Sequence, residues 1–236
     1  MKHTELKLMG VSDYFTQESF NVLRTNIQFC GQDVKVIAIT SCTMNEGKSY
    51  VSMHLGRSLS EIGKRVLIID ADMRKSVMAG RNADAKDPKG LSEAITGQAK
   101  LQECIYSTQY ERLNLMFAGK YPPNPVELLN TPHFDAILKA ARGAYDYIII
   151  DTPPLGMVID AAVIASKCDG AILVIGNKHV KYPIAQEVIA QLEKAGCYVL
   201  GAVLNNSEKK GGAYYRRKKG YGYGYGYGYY AHDTKK

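Results

Sequence analysis

Gly47-Lys48-Ser49 places an ammonium and a hydroxyl directly after a glycine. Where such a turn opens a helix, backbone N–H groups face phosphate oxygens, the lysine reaches the terminal phosphates and the hydroxyl reaches a magnesium ion. Two apolar runs end in carboxylates: Val66 to Ile69 leads into Asp70 and Asp72, and Tyr147 to Ile150 into Asp151. A strand buried on both faces reads as a near-continuous apolar run, and open α/β sheets bind ligands beyond the carboxyl ends of their strands. Three carboxylates beside Gly-Lys-Ser therefore form a phosphate-and-metal constellation. The match is incomplete, because the first glycine of G-x-x-x-x-G-K-[ST] is Cys42 here.

The flanking pattern supplies the context that the motif needs. Residues 34–40 are rich in β-branched types, and Val51, Leu55, Leu59 and Ile62 recur at helical spacing after the loop, with Gly63 placed to stop the helix. Further strands are expected at 65–70, 113–117, 146–151, 170–175 and 198–204, and helices at 16–29, 48–62, 133–142, 160–167 and 183–195. This alternation predicts an α/β class: a doubly wound, mostly parallel sheet with helices on both faces. The polar stretch 76–89 reads as a loop over the active edge. Pro122, Pro123 and Pro125 read as a rigid turn before a helix, and His54 and His133 as capping or packing residues.

Composition narrows the classes. Hydrophobic residues make up 46% of the 236, enough for one packed domain. The five cysteines form no C-x-x-C pair, so neither a disulfide framework nor a zinc site is indicated and a reducing cytosol fits. Cys42 reads as space-filling, with a reactive thiol near Lys48 as the alternative. No apolar stretch approaches the ~20 residues that span a bilayer, and the amino terminus lacks a signal-peptide core. Net charge is +7, but 207–236 holds eight basic and two acidic residues, leaving 22 against 21 elsewhere. A nucleic-acid-reading face is not expected on the body.

The domain is assigned to 1–206 and a disordered tail to 207–236. That tail holds Tyr214, Tyr215, Tyr221, Tyr223, Tyr225, Tyr227, Tyr229 and Tyr230, eight of the seventeen tyrosines. Glycine alternates with most of them, which makes ordering costly and offers little to pack. A flexible chain from Asn206 to Tyr221 spans about 20 Å on average and about 50 Å when drawn out.

In this order the motifs resemble the bacterial tyrosine kinase family, the cytoplasmic kinases of capsular or exopolysaccharide systems. The resemblance covers nearly the whole chain. It rests on Ser41 to Ser49 as the Walker A loop, Leu67 to Arg74 as the family's second Walker box, Ile148 to Pro154 as Walker B, Gly90 to Gly97, Ala118 to Leu129, and the tyrosine cluster. Met44-Asn45 replaces the family's Pro-Gly, and asparagine tolerates the left-handed turn. The E-x-x-R-x-x-R assembly motif appears as Glu18, Asn21 and Arg24, without its first arginine. Thr43 stands where partitioning ATPases carry a signature lysine.

The resemblance implies an ATP- and Mg²⁺-dependent autokinase that phosphorylates the eight tail tyrosines, in trans. Thr43, Met44, Asn45, Glu46, Gly47, Lys48, Ser49 and Tyr50 would form the nucleotide loop, with Asn205 at the adenine. Lys48, Asp70 and Asp72 are the expected catalytic set, Asp70 as the base; Ser49, Asp72 and Asp151 are the expected Mg²⁺ ligands. Expected partners are the cytoplasmic segment of a membrane adaptor of the polysaccharide co-polymerase type, further copies of the chain and a tyrosine phosphatase. The place of action would be the inner face of the membrane. A partitioning-type ATPase switch and an inactive scaffold remain as alternatives.

Overall fold

In a computed structural model, residues 2–8, 14–82, 88–176 and 180–205 are described. The apolar runs become strands: β1 (Lys2–His3), β2 (Val36–Ser41), β3 (Val66–Asp70), β4 (Ile105–Ser107), β5 (Leu113–Met116), β6 (Tyr147–Asp151), β7 (Gly170–Gly176) and β8 (Val199–Asn205). They form one sheet in the order β1-β4-β5-β3-β6-β2-β7-β8. Every pairing is parallel except β4 with β5. Central strands are buried at every position, as their unbroken apolar sequence requires.

The helices are α1 (Tyr14–Phe29), α2 (Lys48–Glu61), α3 (Met78–Asn82), α4 (Leu91–Ile95), α5 (Pro125–Leu129), α6 (Pro132–Ala144), α7 (Asp160–Ala165) and α8 (Tyr182–Lys194). Strand alternation sorts them onto two faces. Ile37, Ile39, Ile68, Ile149 and Ile172 pack with Phe20 and Ile27 of α1 and Val51, Leu55 and Leu59 of α2. Val36, Leu67, Ile69, Ile148 and Ile150 point the other way, to Leu91 of α4, Phe134 and Leu138 of α6 and Ile164 of α7. Ala38, Ala171 and Leu173 complete that second face against Val188 and Leu192 of α8. Helices thus cover both faces, the doubly wound arrangement.

Two polar clamps fix the edge opposite the phosphate loop. Asp169 Oδ2 accepts from the amides of Lys35 and Val36 at 2.8 and 2.7 Å while Arg142 grips both carboxylate oxygens. Asp146 similarly accepts from the Arg65 amide and guanidinium. His54 stacks on Phe20 at 4.9 Å between α1 and α2, the packing role expected of it.

The expectation of a loop over 76–89 needs correction. Met78 is 1% exposed and anchors the short α3 in the same core as α1 and α2, while 83–87 lie outside the described residues. The elements β1, β4, α4 and α5 were not anticipated as such; Pro125 does open α5, as the proline turn suggested. Position 206, the tail and all eight of its tyrosines lie outside the described residues.

Candidate active site

The loop between β2 and α2 is built on two left-handed residues, Asn45 (φ 63) and Gly47 (φ 93). Asparagine adopts that backbone conformation more readily than most residues, so the turn forms without the family's Pro-Gly. At Gly47 a side chain would have to displace Asn205, because a Cβ would stand 1.9 Å from its Nδ2. Val51 N–H closes the first helical turn onto Gly47 O at 2.9 Å. The amides of Lys48, Ser49 and Tyr50 therefore belong to the free N-terminal turn, where the helix dipole favours anions.

Glu46 is where the site departs from the expected pattern. Its carboxylate is 2% exposed. Oε1 accepts from Thr43 N–H and from Thr43 Oγ1, and Oε2 accepts from Gly176 N–H at 2.8 Å. The side chain thus ties the loop to the end of β7, and it occupies the Thr43 amide that was expected to serve phosphate. Asn205 Nδ2 donates to Glu46 O at 2.9 Å. The end of β8 therefore lies on the loop, on the same rim of the sheet. The Tyr50 ring turns away toward α1, packing against Phe20 and His54.

The carboxylates converge as the parallel register requires. Asp70 and Asp151 are direct partners on β3 and β6. Ser49 Oγ donates to Asp151 Oδ2 at 2.5 Å, and Ser52 Oγ approaches Asp151 Oδ1 at 3.4 Å. Asp70 Oδ1 accepts from Asp72 N–H at 3.1 Å and Asp70 Oδ2 from Ser76 Oγ. Burial raises both buried carboxyls above the usual carboxylate range. Asp151 and Asp72 push Asp70 up further; for Asp151, Asp72 adds while Ser49 and Lys48 pull down. Crowded negative charge in a dry site favours a cation.

The donors are hard oxygens, a hydroxyl and carboxylates, which suit Mg²⁺. Among the described residues no three His, Cys, Asp or Glu side chains are grouped to hold a metal by themselves. Magnesium is commonly held by only one or two carboxylates together with phosphate oxygens and water.

Beside the loop, on the flank away from Asn205, opens a cavity of about 130 Å³. Lys48 and Asp72 line it, with Met44, Asn45, Arg74, Lys75, Val77 and the 153–158 segment. Asp70 is 1% exposed and lies behind this surface, so the expected base does not border the cavity directly. Arg74, quoted from the sequence only as the end of a motif, makes a bidentate pair with buried Asp160 at 2.9 and 3.2 Å. That pair ties the Asp72 segment to the start of α7. Its signal in the sequence was an arginine two places after Asp72, with nothing to indicate the partner. Cys42 is 1% exposed, and burial reinforced by Glu46 pushes its thiol up to about 11, which removes the reactive-thiol alternative.

An AAA domain family model matches residues 34–194. Tyrosine-protein kinase CpsD of Streptococcus agalactiae is 43% identical over 199 residues, 84% of this chain and 87% of that protein. The chain belongs to the bacterial tyrosine kinase family of capsule systems. As a bacterial tyrosine kinase it is a protein-tyrosine kinase that uses ATP. The kinase domain of the Escherichia coli tyrosine kinase ETK matches with a TM-score of 0.77 at 30% identity, over 89% of this chain and 80% of that one. The septum site-determining protein MinD complexed with Mg-ADP, from Pyrococcus horikoshii, matches at 0.61 and 29%, over 74% and 72%. The P-loop core is shared with the latter, but the longer match lies with the kinase. No helix among the described residues is long and apolar enough to cross a membrane.

Proposed function

We propose that this bacterial tyrosine kinase transfers the γ-phosphoryl group of ATP to its own C-terminal tyrosines, Tyr214 to Tyr230, with one copy serving another. The observation that carries the reading is the junction of Asn205 with the loop. The chain leaves β8 with Asn205 Nδ2 2.9 Å from Glu46 O, beside Lys48 and Ser49. The last described residue of the body thus lies at the phosphate loop, which supports a tail substrate.

Phosphoryl transfer depends on positioning and charge neutralisation. The free amides of the first turn of α2 and the Lys48 ammonium bind and orient the phosphates. Ser49 and Asp151, with Asp72 directly or through water, would hold Mg²⁺, which when bound neutralises charge on the phosphate oxygens. The tyrosine oxygen bonds to the γ-phosphorus, the bond from that phosphorus to the β–γ bridging oxygen breaks, and ADP leaves with that oxygen. The phenolic proton passes to Asp70. Ser76 Oγ now donates to Asp70 Oδ2, so an acceptor hydroxyl takes the place of one already bound there. Tyrosine, with pKa about 10, lies roughly 4 kcal/mol from phenolate at pH 7, and a positioned base offsets part of that gap.

The wider setting belongs to the same reading. A cytoplasmic segment of a membrane adaptor of the co-polymerase type activates the kinase at the inner membrane face, a tyrosine phosphatase resets it, and the cycle regulates capsular or exopolysaccharide synthesis and export. Each phosphate adds about −1.5 to −2, so about four cancel the tail's surplus of basic residues and loosen a homo-oligomer. Purified chain with the adaptor peptide and MgATP should give phosphotyrosine that Lys48→Met and Asp70→Asn abolish. ATP hydrolysis with no phosphotyrosine would overturn the reading in favour of an assembly switch. Light scattering before and after phosphorylation tests the oligomer.

A further inference from the structure

We infer that the cavity between α4 and the connection from β5 to α5 binds a neutral sugar unit, a pyranose or short oligosaccharide, apart from the phosphate loop. The inference goes beyond tyrosine transfer and does not depend on it.

Two stretches of the sequence, Gly90 to Gly97 and Ala118 to Leu129, take no part in the phosphate chemistry, and the structure folds them against each other. Leu91 and Ser92 N–H donate to Phe117 O and Ala118 O at 2.8 and 3.0 Å, which seats α4 on the carboxyl end of β5. Ligands of open α/β sheets gather at that end of the strands. The cavity between the two stretches measures about 460 Å³, within the range of roughly 300–1,000 Å³ usual for small-molecule sites. An apolar cavity of about 150 Å³ accepts a benzene ring, so two six-membered rings with their hydroxyls find room here.

The floor is polar and incompletely satisfied. Ser92 lines the cavity and is 5% exposed, and its Oγ is the one buried side-chain polar atom among the described residues without a hydrogen-bond partner. A stranded buried hydroxyl is a cost that a ligand can remove. Beside it Glu93, 7% exposed, accepts from Gly90 N–H on Oε2 at 2.7 Å and from Lys120 N–H on Oε1 at 3.1 Å. Each carboxylate oxygen has a second lone pair, so both can accept again. Gly119, at φ 82, makes room for the pair: a Cβ there would stand 2.2 Å from Glu93 Oε2 and 2.5 Å from Ser92 Oγ. A hydroxyl that donates or accepts, next to a carboxylate that only accepts, matches neighbouring hydroxyls of a sugar ring. One gives its proton to Glu93 and the next exchanges with Ser92.

The walls complete the match. Pro122 is buried and Leu128 half-buried, and Tyr121 stands at the mouth with 62% exposure. Such apolar faces suit the C–H face of a pyranose, and the amides of Gln98 and Asn124 at the rim both donate and accept. Of the charged groups at the cavity, Glu93 and Glu127 outnumber Lys120, so a phosphate finds no cradle. The family serves capsule systems, in which sugars are the material handled.

The test titrates the full chain, kept in excess MgADP to occupy the phosphate loop, with methyl glucoside, methyl galactoside, N-acetylglucosamine and maltose. Saturation-transfer NMR and calorimetry read binding, and UDP-glucose and UDP separate a nucleotide-linked sugar from a free one. At least one sugar should bind saturably, and Ser92→Ala and Tyr121→Ala should each weaken it about tenfold, the loss of one ordinary contact. Ser92→Ala should meanwhile keep Tm at or above wild type, because it removes an unpaired buried hydroxyl, a result that a purely structural serine would not give. UDP-glucose binding without free-sugar binding, weakened by the same variants and not competed by UDP, supports the site and assigns the sugar to a nucleotide carrier. Absence of saturable binding by every one of these ligands overturns the inference, as does binding that both variants leave unchanged. Protection of 120–128 from hydrogen exchange by the adaptor's cytoplasmic peptide, with no sugar bound, overturns it in favour of a peptide groove. None of these readouts requires phosphotyrosine, so failure here leaves the kinase reading intact.

Discussion

Glu46→Ala should unfasten the phosphate loop from the sheet. In the wild-type chain a carboxylate that is 2% exposed accepts from Thr43 N–H, Thr43 Oγ1 and Gly176 N–H. Alanine strands two amides, and each buried unsatisfied donor costs about 1–3 kcal/mol. The two share one partner and are not independent, so about 3–4 kcal/mol is the expected loss. For a domain of this size, that lowers Tm by about 10 °C and leaves a folded protein at 25 °C, given the usual 5–15 kcal/mol of stability. Glu46→Gln is the sharper probe. Its oxygen can face Thr43 or Gly176 but not both, and its NH₂ then confronts an N–H donor, for about 2 kcal/mol. Urea unfolding followed by circular dichroism measures both, and ATP titration of the folded variants should show weakened binding. If Glu46→Ala lies within about 1 kcal/mol of wild type, or Glu46→Gln is indistinguishable from it, the carboxylate is not what holds the loop.

Three further substitutions probe neighbouring contacts. Arg74→Ala leaves the buried Asp160 carboxylate unpaired and should cost about 3 kcal/mol; a double-mutant cycle with Asp160→Ala should recover most of it. Gly47→Ala combines a positive φ of 93° with a Cβ 1.9 Å from Asn205 Nδ2, so calorimetry should show at least about tenfold weaker ATP binding from ~1–2 kcal/mol of strain plus the displaced side chain. Adding Asn205→Ala should remove the clash but not the strain, and full recovery would refute the backbone argument. Asp146, held by the Arg65 guanidinium and amide at about 2, contributes stability that is complete above its unfolded value near 3.8 and is lost as pH falls through about 2. Because the pair is partly exposed, solvent screening limits the effect to about 1 kcal/mol. Asp146→Asn should therefore cost that much at pH 7, with the gap to wild type narrowing below pH 4 in urea titrations.

The legible parts of this molecule are those in which one short stretch of chain determines both an element and what it carries. A parallel strand buried on both faces must be apolar along its length, so Val66–Asp70 and Tyr147–Asp151 announced themselves together with the carboxylates at their ends. Once both strands lie parallel and adjacent, register alone brings Asp70 opposite Asp151. The loop was legible for the same reason, since strand, glycine turn and helix are consecutive in sequence. What escaped was short or depended on distant partners. β4 and β1 hold three and two residues, too few for a period, and α3 is anchored by Met78 within a polar stretch. The destinations of Glu46 and Arg74 escaped too, because Gly176 and Asp160 become their neighbours only after β7 and α7 are in place.

The same distinction explains why the proposed base and the cavity were harder to place than the proposed magnesium ligands. Ser49 and Asp151 stand at the ends of rigid elements, and their 2.5 Å contact follows from β2, α2 and β6 packing side by side. Asp72 and Val77 sit instead on the segment that leaves β3, whose path is set by Arg74 gripping Asp160 and by Ser76 bonding Asp70. A residue on such a segment can be named from sequence, but the surface it presents depends on tertiary partners. Two carboxylates two residues apart thus end with different environments: Asp70 is sealed behind the surface at 1% exposure, and Asp72 borders the cavity beside the loop.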